Sequence, residues 1–301
     1  MPQLLLLFLL PLLLSAAAAQ ASTPTITVRG LSVNHSPFTV VAMPDEALAI
    51  GAPAGHDATL DGKPTGQRQG ESLQLKAPAR PGVYSLQISN GDDSQVSLNL
   101  IVTVPASAIR DETLNGYRMG PPPPGHDKYP ELYRPPAGFI EVTEDLLDLQ
   151  LSPHFRLRQF LCKQHSGYPK YIALQESLLL LLEGLLGAVR ERGHDIDTFG
   201  VISGYRTPWY NRKIGNVANS RHVYGDAMDF YVDEDGDGRM DDMNGDGLHD
   251  QRDVDLLAAI AEEFMTRPGN SLLYGGIGRY DKTGRHGGFV HVDTRGYGAR
   301  W

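Results

Sequence analysis

The first third of the chain alternates short apolar stretches with turn residues. The apolar stretches lie at residues 26–28, 38–43, 48–50, 73–75, 83–88 and 96–104. Between them, Asp61-Gly62, Pro81-Gly82 and Asn90-Gly91 mark tight reversals of the chain. Strands at this spacing predict an all-β, immunoglobulin-like sandwich over residues 22–104. No catalytic constellation is visible there, so a substrate-binding or spacer role is the default interpretation.

The rest of the chain mixes helical and strand patterns, which predicts an α+β domain over residues 146–301. Apolar residues recur at helical spacing over residues 171–192 and 252–266. Ser152 is expected to cap a further short helix over residues 155–161. Strand patterns lie at residues 198–203, 227–232 and 289–293. We therefore expect a small antiparallel sheet flanked by helices.

The segment between these two domains, residues 105–145, is rich in proline and includes the four consecutive prolines 121–124. Proline fixes the backbone φ angle and lacks an N–H group, so such a segment favours extended conformations and cannot form a central strand. We interpret it as a linker. Tyr117 and Tyr129 are expected to pack it against a domain surface.

The first 21 residues have the pattern of a secretory signal. Residues 4–14 are almost wholly apolar, and the residues that follow up to Ala21 are small and rich in alanine. The apolar run is short for a membrane span, which needs about 20 residues. We expect a signal peptide over residues 1–21, no stable membrane anchor after its cleavage, and a periplasmic or secreted protein. A retained anchor is the alternative.

The net charge of −9 is concentrated in one segment, residues 233–253, which we call the acidic island. It contains nine acids and two bases, a charge of −7, and so leaves −2 for the other residues. A near-neutral protein with one acidic segment lacks the basic face that nucleic acid binding requires. The single cysteine, Cys162, cannot form an intramolecular disulfide and is interpreted as a small buried residue.

Three residues with metal-binding side chains are arranged so that they can converge. His222 and Asp229 are seven residues apart, with Gly225 allowing a sharp bend, and Asp229 and His291 lie on predicted strands. If those strands are neighbours, two imidazoles and one carboxylate meet, a set that suits Zn²⁺ and leaves a fourth position for water. Asp293 is placed to orient a ligand. The alternative is that each histidine is a structural strand residue.

Several motifs in this half resemble the zinc D-alanyl-D-alanine carboxypeptidase family. They are Ser203-Gly204-Tyr205-Arg206-Thr207-Pro208, Ser220-x-His222-x-x-Gly225-x-Ala227-x-Asp229, Gly275-Gly276-x-Gly278 and Phe289-Val290-His291-Val292-Asp293. That family includes cell-wall carboxypeptidases, dipeptidases and murein endopeptidases, and the hedgehog signalling domain shares its fold. The resemblance covers roughly residues 150–301.

The resemblance implies specific roles for four residues. His222, Asp229 and His291 match the family's zinc ligands, and Arg206 matches the arginine that binds the substrate carbonyl and stabilises the developing oxyanion. The alternative for Arg206 is a structural charge near a helix start set by Pro208.

The residue that carries the proton differs among members of this family. Several family members place a catalytic glutamate three residues before the last histidine ligand, where this chain has Gly288. Others place a histidine five residues before it, which here is His286. We expect His286 to act as general acid or base, with Asp293 as the competing candidate. The alternative for His286 is an exposed residue in a glycine-rich loop.

The acidic island contains two runs with the ligand spacing of calcium loops. Both place oxygen ligands at loop positions 1, 3, 5 and 9 with glycine at 6. The expected calcium ligands are Asp233, Asp235, Asp237, Asp241, Asp242, Asn244, Asp246, Asp250 and Asp253. Two Ca²⁺ ions would offset +4 of the −7, and a solvated acidic loop is the alternative. We expect calcium to stiffen a loop near the cleft.

Together these patterns predict a zinc-dependent peptidase that cuts peptidoglycan stems or cross-links, as a D,D- or L,D-type carboxypeptidase or endopeptidase. Its partner is a peptidoglycan peptide, and nucleic acid is excluded. Two alternatives stay open: a catalytically silent zinc protein that binds wall peptide, and a secreted peptidase with other substrates. The sequence does not indicate the oligomeric state.

Overall fold

Two five-stranded sheets form the N-terminal region of the protein. The computed structural model describes residues 22–91, 94–284 and 286–301, so the predicted signal peptide lies outside the described residues. The strands are β1 Ile26–Val28, β2 Leu31–Val33, β3 Phe38–Ala42, β4 Ala47–Gly51, β5 Asp57–Leu60, β6 Lys63–Thr65, β7 Gln67–Gln69, β8 Ser72–Lys76, β9 Gly82–Ser89 and β10 Gln95–Val102. One sheet has the order β2-β1-β4-β8-β7 and the other β3-β10-β9-β5-β6. The N-terminal region is therefore β-rich, as the apolar pattern predicts.

Alternating burial explains why these short segments form strands. In β1, Ile26 and Val28 are fully buried while Thr27 between them is exposed, and β4 shows the same alternation. Burying every second side chain removes apolar area from water while the other face stays solvated. The buried residues of both sheets belong to one apolar core, which continues into the C-terminal half.

The middle of the chain is built from short strands. These are β11 Val104–Pro105, β12 Thr113–Leu114, β13 Tyr117–Arg118, β14 Gly138–Val142, β15 Gln150–Ser152, β16 Phe155–Arg156 and β17 Lys170–Ile172. The proline-rich segment packs closely on the domains, since Tyr117, Met119 and Phe139 are buried. After the last proline of that segment, β14 forms the middle strand of the sheet β11-β14-β17, so the expectation that this segment contains no central strand was wrong. The prolines leave the N–H groups of β14 available because they all precede it.

The short helix predicted after Ser152 is absent from the described residues. Ser152 ends β15, which forms a hairpin with β16, and a 3₁₀ helix follows at Leu157–Phe160. The prediction was wrong because Phe155 and Leu157 are buried on either side of the exposed Arg156, which is the period of a strand. The other 3₁₀ helices are Ala106–Ala108, Glu131–Tyr133, Glu144–Leu146, Arg221–Tyr224 and Ser271–Leu273.

The C-terminal half contains the sheet that carries the predicted metal ligands. Its elements are α1 Glu176–Arg190, β18 Gly200–Ser203, α2 Pro208–Lys213, β19 Ala227–Tyr231, α3 Gln251–Met265, β20 Gly276–Tyr280, β21 Phe289–Asp293 and β22 Ala299–Arg300. The strand order is β18-β19-β21-β20-β22, antiparallel except for the parallel pair β20 and β22. Helix α3 packs on β20 and β21, and α1 packs on α3. This is the α+β architecture that the sequence pattern predicts.

The helix α1 begins later than the apolar pattern suggests. Residues 170–172 form β17, whose partner is β14, and the helix begins at Glu176. At Gly184 the ring of Phe264 from α3 occupies the place where a side chain would project. This glycine therefore lets α1 and α3 approach each other closely.

Polar contacts fasten the N-terminal sheets to the C-terminal half. The carboxylate of Glu176 at the start of α1 pairs with Arg29 and accepts the backbone N–H of Val41 at 3.0 Å. Elsewhere the side-chain amide of Asn99 donates to the carbonyl of Gln150 at 2.7 Å. Within the described part of the chain, no helix is long and apolar enough to cross a membrane.

Candidate metal centre

Two neighbouring strands bring Asp229 and His291 together. β19 and β21 pair in antiparallel fashion, and Asp229 lies directly opposite His291 in the register. Residues opposite each other on one face of a sheet have closely spaced side chains. In this structure, Nδ1 of His291 is 2.7 Å from Oδ1 of Asp229. The sheet itself thus sets the spacing of two of the three predicted ligands.

His222 reaches the same point from a 3₁₀ helix that precedes β19. That helix ends at Gly225, whose φ of +79° lies in the left-handed region. A side chain at Gly225 would also meet the backbone of Ala173 at 2.5 Å, so only glycine fits this bend. The bend places Nε2 of His222 3.0 Å from Oδ1 of Asp229 and 3.1 Å from Nδ1 of His291.

The three side chains fit a zinc ion by the chemistry of their donor set. Their ligand atoms lie within 4.8 Å of one another, and all three residues are at most 4% exposed. Nδ1 of His222 donates to the carbonyl oxygen of Gly204 at 2.7 Å, and Nε2 of His291 donates to Oδ2 of Asp293 at 3.1 Å. These bonds fix the ring orientations and leave the two inward nitrogens to bind a metal, the arrangement found around zinc-binding histidines.

The charges of the centre favour an ionised carboxylate between the two imidazoles. Burial raises the pKa of Asp229, but His222 and His291 outweigh it and hold that pKa well below its usual range. Burial lowers the pKa of His222. Burial also opposes charge on His291, yet hydrogen bonds with Asp229 and Asp293 prevail and raise its pKa to about 9. These two carboxylates therefore favour a protonated His291, and a metal that binds there would have to displace that proton.

Arg206 lies beside the carboxylate of Asp229. Its Nη2 pairs with Oδ2 of Asp229, and its Nε donates to Oγ of Ser203 at 2.8 Å. The next residue, Thr207, caps α2 by accepting the N–H of Tyr210 at 3.1 Å, which fixes the local backbone. Since Oδ1 of Asp229 faces the two histidines, Arg206 orients this carboxylate from its other side.

Asp293 is placed behind His291 rather than in the cavity. It is fully buried and accepts hydrogen bonds from Arg295 and from the N–H of Gly276 at 3.0 Å, besides that of His291. Burial raises the pKa of Asp293, but its bonds to His291 and Arg295 hold that pKa far below the usual range. An ionised, fully bonded carboxylate at this place favours the orienting role of Asp293 over proton transfer.

His286 lines the same cavity as the three candidate ligands. This cavity has a volume of about 550 Å³ and also contains Arg206 in its wall. The ring of His286 stands edge-on to Phe289 with centroids 5.0 Å apart, and its Nδ1 lies 2.8 Å from the carbonyl oxygen of Gly287. The structure thus places His286, and not Asp293, in the wall of this cavity.

Gly288 occupies the position at which the resemblance leads one to expect glutamate. A side chain there would meet Cγ2 of Val254 on α3 at 2.6 Å. Because Val254 is fully buried in the core, its side chain would have to shift before a glutamate could fit. The close packing of α3 on β21 therefore accounts for glycine at this position.

The acidic island leads into α3, whose first three residues it includes, and is mostly exposed. In its first run, carboxylate oxygens of Asp233, Asp235 and Asp237 lie within 4.8 Å of one another. Gly238, Asp237 and Arg239 donate their backbone N–H groups to these three side chains in turn. One oxygen, Oδ1 of Asp233, is buried and has no hydrogen-bond partner among the described residues.

The second run of the island serves partly to begin α3. Asp250 and Asp253 form a capping box at the start of that helix, and Asp253 is fully buried. Asp246 and Asp250 pair with Arg252. The remaining predicted ligands of this run, Asp242 and Asn244, accept N–H groups from their own loop, and Asp241 of the first run accepts that of Glu234.

Sequence reasoning missed several residues that line the metal cavity. Tyr280 and Trp301 are the most prominent, since both carry exposed aromatic surface. Tyr280 lies opposite Phe289 in the pairing of β20 with β21, a partnership that only the register reveals. The sequence signal that could have indicated Tyr280 is its position at the end of a glycine-rich strand. The other cavity residues not predicted are Tyr133, Asn216, Val217, Asn219, Arg221 and Arg295.

One segment of the chain matches the model of a known protein family. Residues 153–245 match the family model of Peptidase M15, the zinc D-Ala-D-Ala carboxypeptidase family. The match confirms the resemblance over that segment. It includes His222 and Asp229, and His291 lies beyond it.

The comparisons with solved structures and with curated proteins provide no argument about fold or function. A solved structure of fibronectin(III)-like modules of Clostridium thermocellum CbhA is similar to 26% of this chain and 94% of its own, with 18% identity. Its TM-score of 0.18 is too low to say anything about the fold of this chain. None of the curated proteins compared with the chain matches it.

Proposed function

We propose that this protein is a zinc-dependent peptidase that hydrolyses peptide bonds in peptidoglycan stems or cross-links. The observation that carries the proposal is the convergence of His222, Asp229 and His291 in a cavity, with each ligand held by a further hydrogen bond. The match to Peptidase M15 supports a metallopeptidase. Because its predicted signal peptide would direct export, we propose that it acts in the periplasm or outside the cell.

The residues of the centre have separate tasks in this proposal. His222, Asp229 and His291 would hold zinc, which when bound lowers the pKa of water to roughly 7 and polarises a carbonyl oxygen. Asp293 and the carbonyl of Gly204 keep the two imidazoles in the tautomers that ligation needs. These bonds also reduce the reorganisation needed when the metal enters.

Two cavity residues act on the substrate. Arg206 pairs with Asp229 through Nη2 and also lines the cavity, so its remaining N–H groups would stabilise the negative charge that develops on the oxygen of a scissile carbonyl. Loss of such a donor typically lowers the rate by about 10²–10³-fold. His286 faces the same cavity and transfers the proton to the leaving amine. Asp293 is ionised and enclosed, so it supports His291 instead.

A second candidate function is a catalytically silent zinc protein that binds wall peptide. Gly288, at the position of the expected glutamate, favours it, since the packing of Val254 leaves no room for an acid there. In that case His286 would contact bound peptide without moving a proton. The metal centre would then serve to anchor a carbonyl or carboxylate oxygen.

Digestion of purified muropeptides separates these functions. The zinc-loaded wild-type protein should release products from stem or cross-linked peptides, and the masses of the products identify the bond. His222→Ala should release none. At saturating zinc, His286→Ala should be slowed by about 10²–10⁴-fold, and a proton role of Asp293 would appear as an equal loss in Asp293→Asn with its zinc bound. If the wild-type protein leaves every muropeptide intact but binds them, the silent binder is correct. If it neither cuts nor binds them, both wall functions are wrong.

We further propose that the acidic island binds calcium in a structural role. Three carboxylates at close range and the buried, unpartnered Oδ1 of Asp233 support a cation at the first run. The second run, whose Asp250 and Asp253 already hold α3, offers fewer available oxygens. Calcium titration followed by thermal unfolding tests this proposal.

A further inference from the structure

Three aromatic side chains form one wall of the metal cavity, and the proposed mechanism does not use them. The rings of Tyr280 and Phe289 are stacked, with centroids 4.6 Å apart and planes within 9°. The ring of Trp301 lies 5.1 Å from that of His291. All three residues line the cavity that contains Arg206. An aromatic wall therefore runs directly alongside a candidate zinc ligand.

Trp301 is held firmly in this wall. Its backbone N–H donates to Ile277, and its carbonyl oxygen accepts the N–H of Arg279 at 3.0 Å. The guanidinium of Arg295 lies 5.3 Å from the ring centroid. A side chain at Gly278 would meet Nε1 of Trp301 at 2.5 Å, so the glycine leaves the space that the indole fills. The backbone and the packing of the ring together fix the direction of the indole N–H.

The indole N–H of Trp301 determines which hydrogen bonds the hydroxyl of Tyr280 can make. Nε1 of Trp301 lies 2.7 Å from the Tyr280 hydroxyl oxygen. An indole nitrogen can only donate, so the hydroxyl oxygen accepts and its own proton remains available for another partner. No described residue accepts that proton. Tyr280 is 37% exposed and lines the cavity, so the proton is available to a molecule that binds there.

We propose that Tyr280 is a substrate-binding residue whose hydroxyl donates a hydrogen bond to a carbonyl or carboxylate oxygen of the peptide at the metal centre. Trp301 is a positioning residue that acts through Tyr280, because its N–H occupies the hydroxyl oxygen and turns the phenolic proton away from itself. The proposal rests on the proposed peptidase function. It adds a specific donor for the peptide on the side of the cavity that His291 borders.

A double-mutant cycle tests both roles. Tyr280→Phe keeps the stacked ring and removes the hydroxyl, and Trp301→Phe keeps an aromatic ring and removes the N–H. On a muropeptide cut by the wild-type protein, Tyr280→Phe should lower kcat/KM by about 3–10-fold, mainly through KM, as expected for one lost hydrogen bond. Trp301→Phe should lower it by about 2–3-fold. The double variant should lose no more than Tyr280→Phe alone.

Controls separate this role from a structural one. Zinc content and the melting temperature should match those of the wild-type protein in both single variants. Tyr84→Phe, which removes a hydroxyl bonded to the carbonyl of Arg80 in the N-terminal sheets, should leave kcat/KM unchanged. An unchanged kcat/KM in Tyr280→Phe overturns the proposal, and losses that multiply in the double variant overturn the positioning role of Trp301.

The source of the acceptor oxygen follows from a matched pair of peptides, one with a free C-terminal carboxylate and one with a C-terminal amide. If the acceptor is the carboxylate, Tyr280→Phe should lower kcat/KM for the free acid and leave the amide unaffected. If it is a backbone carbonyl, both peptides should lose equally. A loss confined to the amide contradicts the proposal.

Peptide binding to the metal-free protein provides a readout that needs no hydrolysis. The chain has two tryptophans, so in Trp209→Phe the fluorescence of Trp301 alone reports on the cavity. Adding Tyr280→Phe in that background should weaken binding of the peptide by about 3–10-fold. Suppose that the zinc-loaded protein hydrolyses no peptide but this difference in peptide affinity is measured. The proposed peptidase function is then wrong, and the binding role of Tyr280 is retained. Equal binding with and without the hydroxyl, or no binding at all, overturns the role of Tyr280.

Discussion

The metal centre and the acidic island each bring three ligand-bearing side chains within 4.8 Å, but they are built in different ways. At the centre, each ligand is buried and is held from behind by another part of the fold: Gly204, Asp293 or Arg206. In the first run of the island, the carboxylates of Asp233, Asp235 and Asp237 are exposed or half-buried and accept N–H groups from their own loop. Both regions have closely spaced side chains, but only those of the metal centre are held by other parts of the fold.

The difference in support predicts which property of the protein each cation would affect. Support from the sheet keeps the centre in shape without a metal, so removal of zinc should abolish chemistry and leave the fold intact. The island carries a charge of −7 over 21 residues and leads into α3, so its shape depends more on a bound cation. Removal of calcium should therefore affect stability more than chemistry.

The largest expected effect comes from removing a zinc ligand. In His222→Ala or His291→Ala, zinc content should fall from about one ion per chain to almost none, because two ligands cannot close a tetrahedral site. Muropeptide digestion should disappear with it. The matched control is Asp233→Ala in the island, which should keep its zinc. Elemental analysis after gel filtration measures both, and full zinc content in the histidine variants would contradict the assigned site.

Removing the support behind a ligand should have the next largest effect. Asp293→Asn removes the charge that His291 faces and should weaken zinc binding by about 10–100-fold, the usual cost of losing such a partner. Asp45→Asn, on the exposed surface of the N-terminal sheets, is the control and should bind zinc as the wild-type protein does. Competition with a chelator measures both constants. Equal affinities would show that Asp293 does not support the centre.

The pH dependence of zinc binding should distinguish the two regions. The pKa of His291 is raised to about 9 in the metal-free protein, so below pH 9 zinc must displace a proton. Zinc affinity should therefore rise as pH rises, by up to about tenfold per unit between pH 7 and 9, and then level off. Any stabilisation by calcium should stay flat over this range, since carboxylates are already ionised. A zinc affinity independent of pH would contradict the protonation of His291.

Calcium should produce the smallest effect. If the island binds it, the melting temperature should rise by a few degrees at saturating calcium, since about 1 kcal/mol shifts it by roughly 2–4 °C in a protein of this size. Asp233→Asn should reduce this rise, and Asp45→Asn should retain it. Calorimetric scans with calcium and with a chelator measure the shift. An unchanged midpoint in the wild-type protein would leave the island without a calcium role.

The convergence of His222, Asp229 and His291 could be predicted from the sequence because its signals are local. The alternation in Phe289–Asp293 indicated a strand with the bounds that the structure has, and Gly225 indicated the bend after His222. Convergence then required a single assumption, that two strands are neighbours. The register that places Asp229 opposite His291 satisfies it.

Features that depend on long-range packing could not be predicted in this way. The helix expected after Ser152 became a hairpin because burial of Leu151 and Phe155 prevailed over local capping. The partnership of Tyr280 with Trp301 joins residues that are 21 positions apart and depends on the pairing of β20 with β22. The reason for glycine at 288, its contact with Val254 on α3, appears only in three dimensions.

We propose that His222, Asp229 and His291 hold a zinc ion. Anomalous diffraction from crystals of the zinc-loaded protein, recorded on both sides of the zinc absorption edge, tests it most directly. We expect one strong zinc peak between Nε2 of His222, Nδ1 of His291 and the carboxylate of Asp229. A zinc peak at Asp233, Asp235 and Asp237 instead, or none in the cavity, would contradict it.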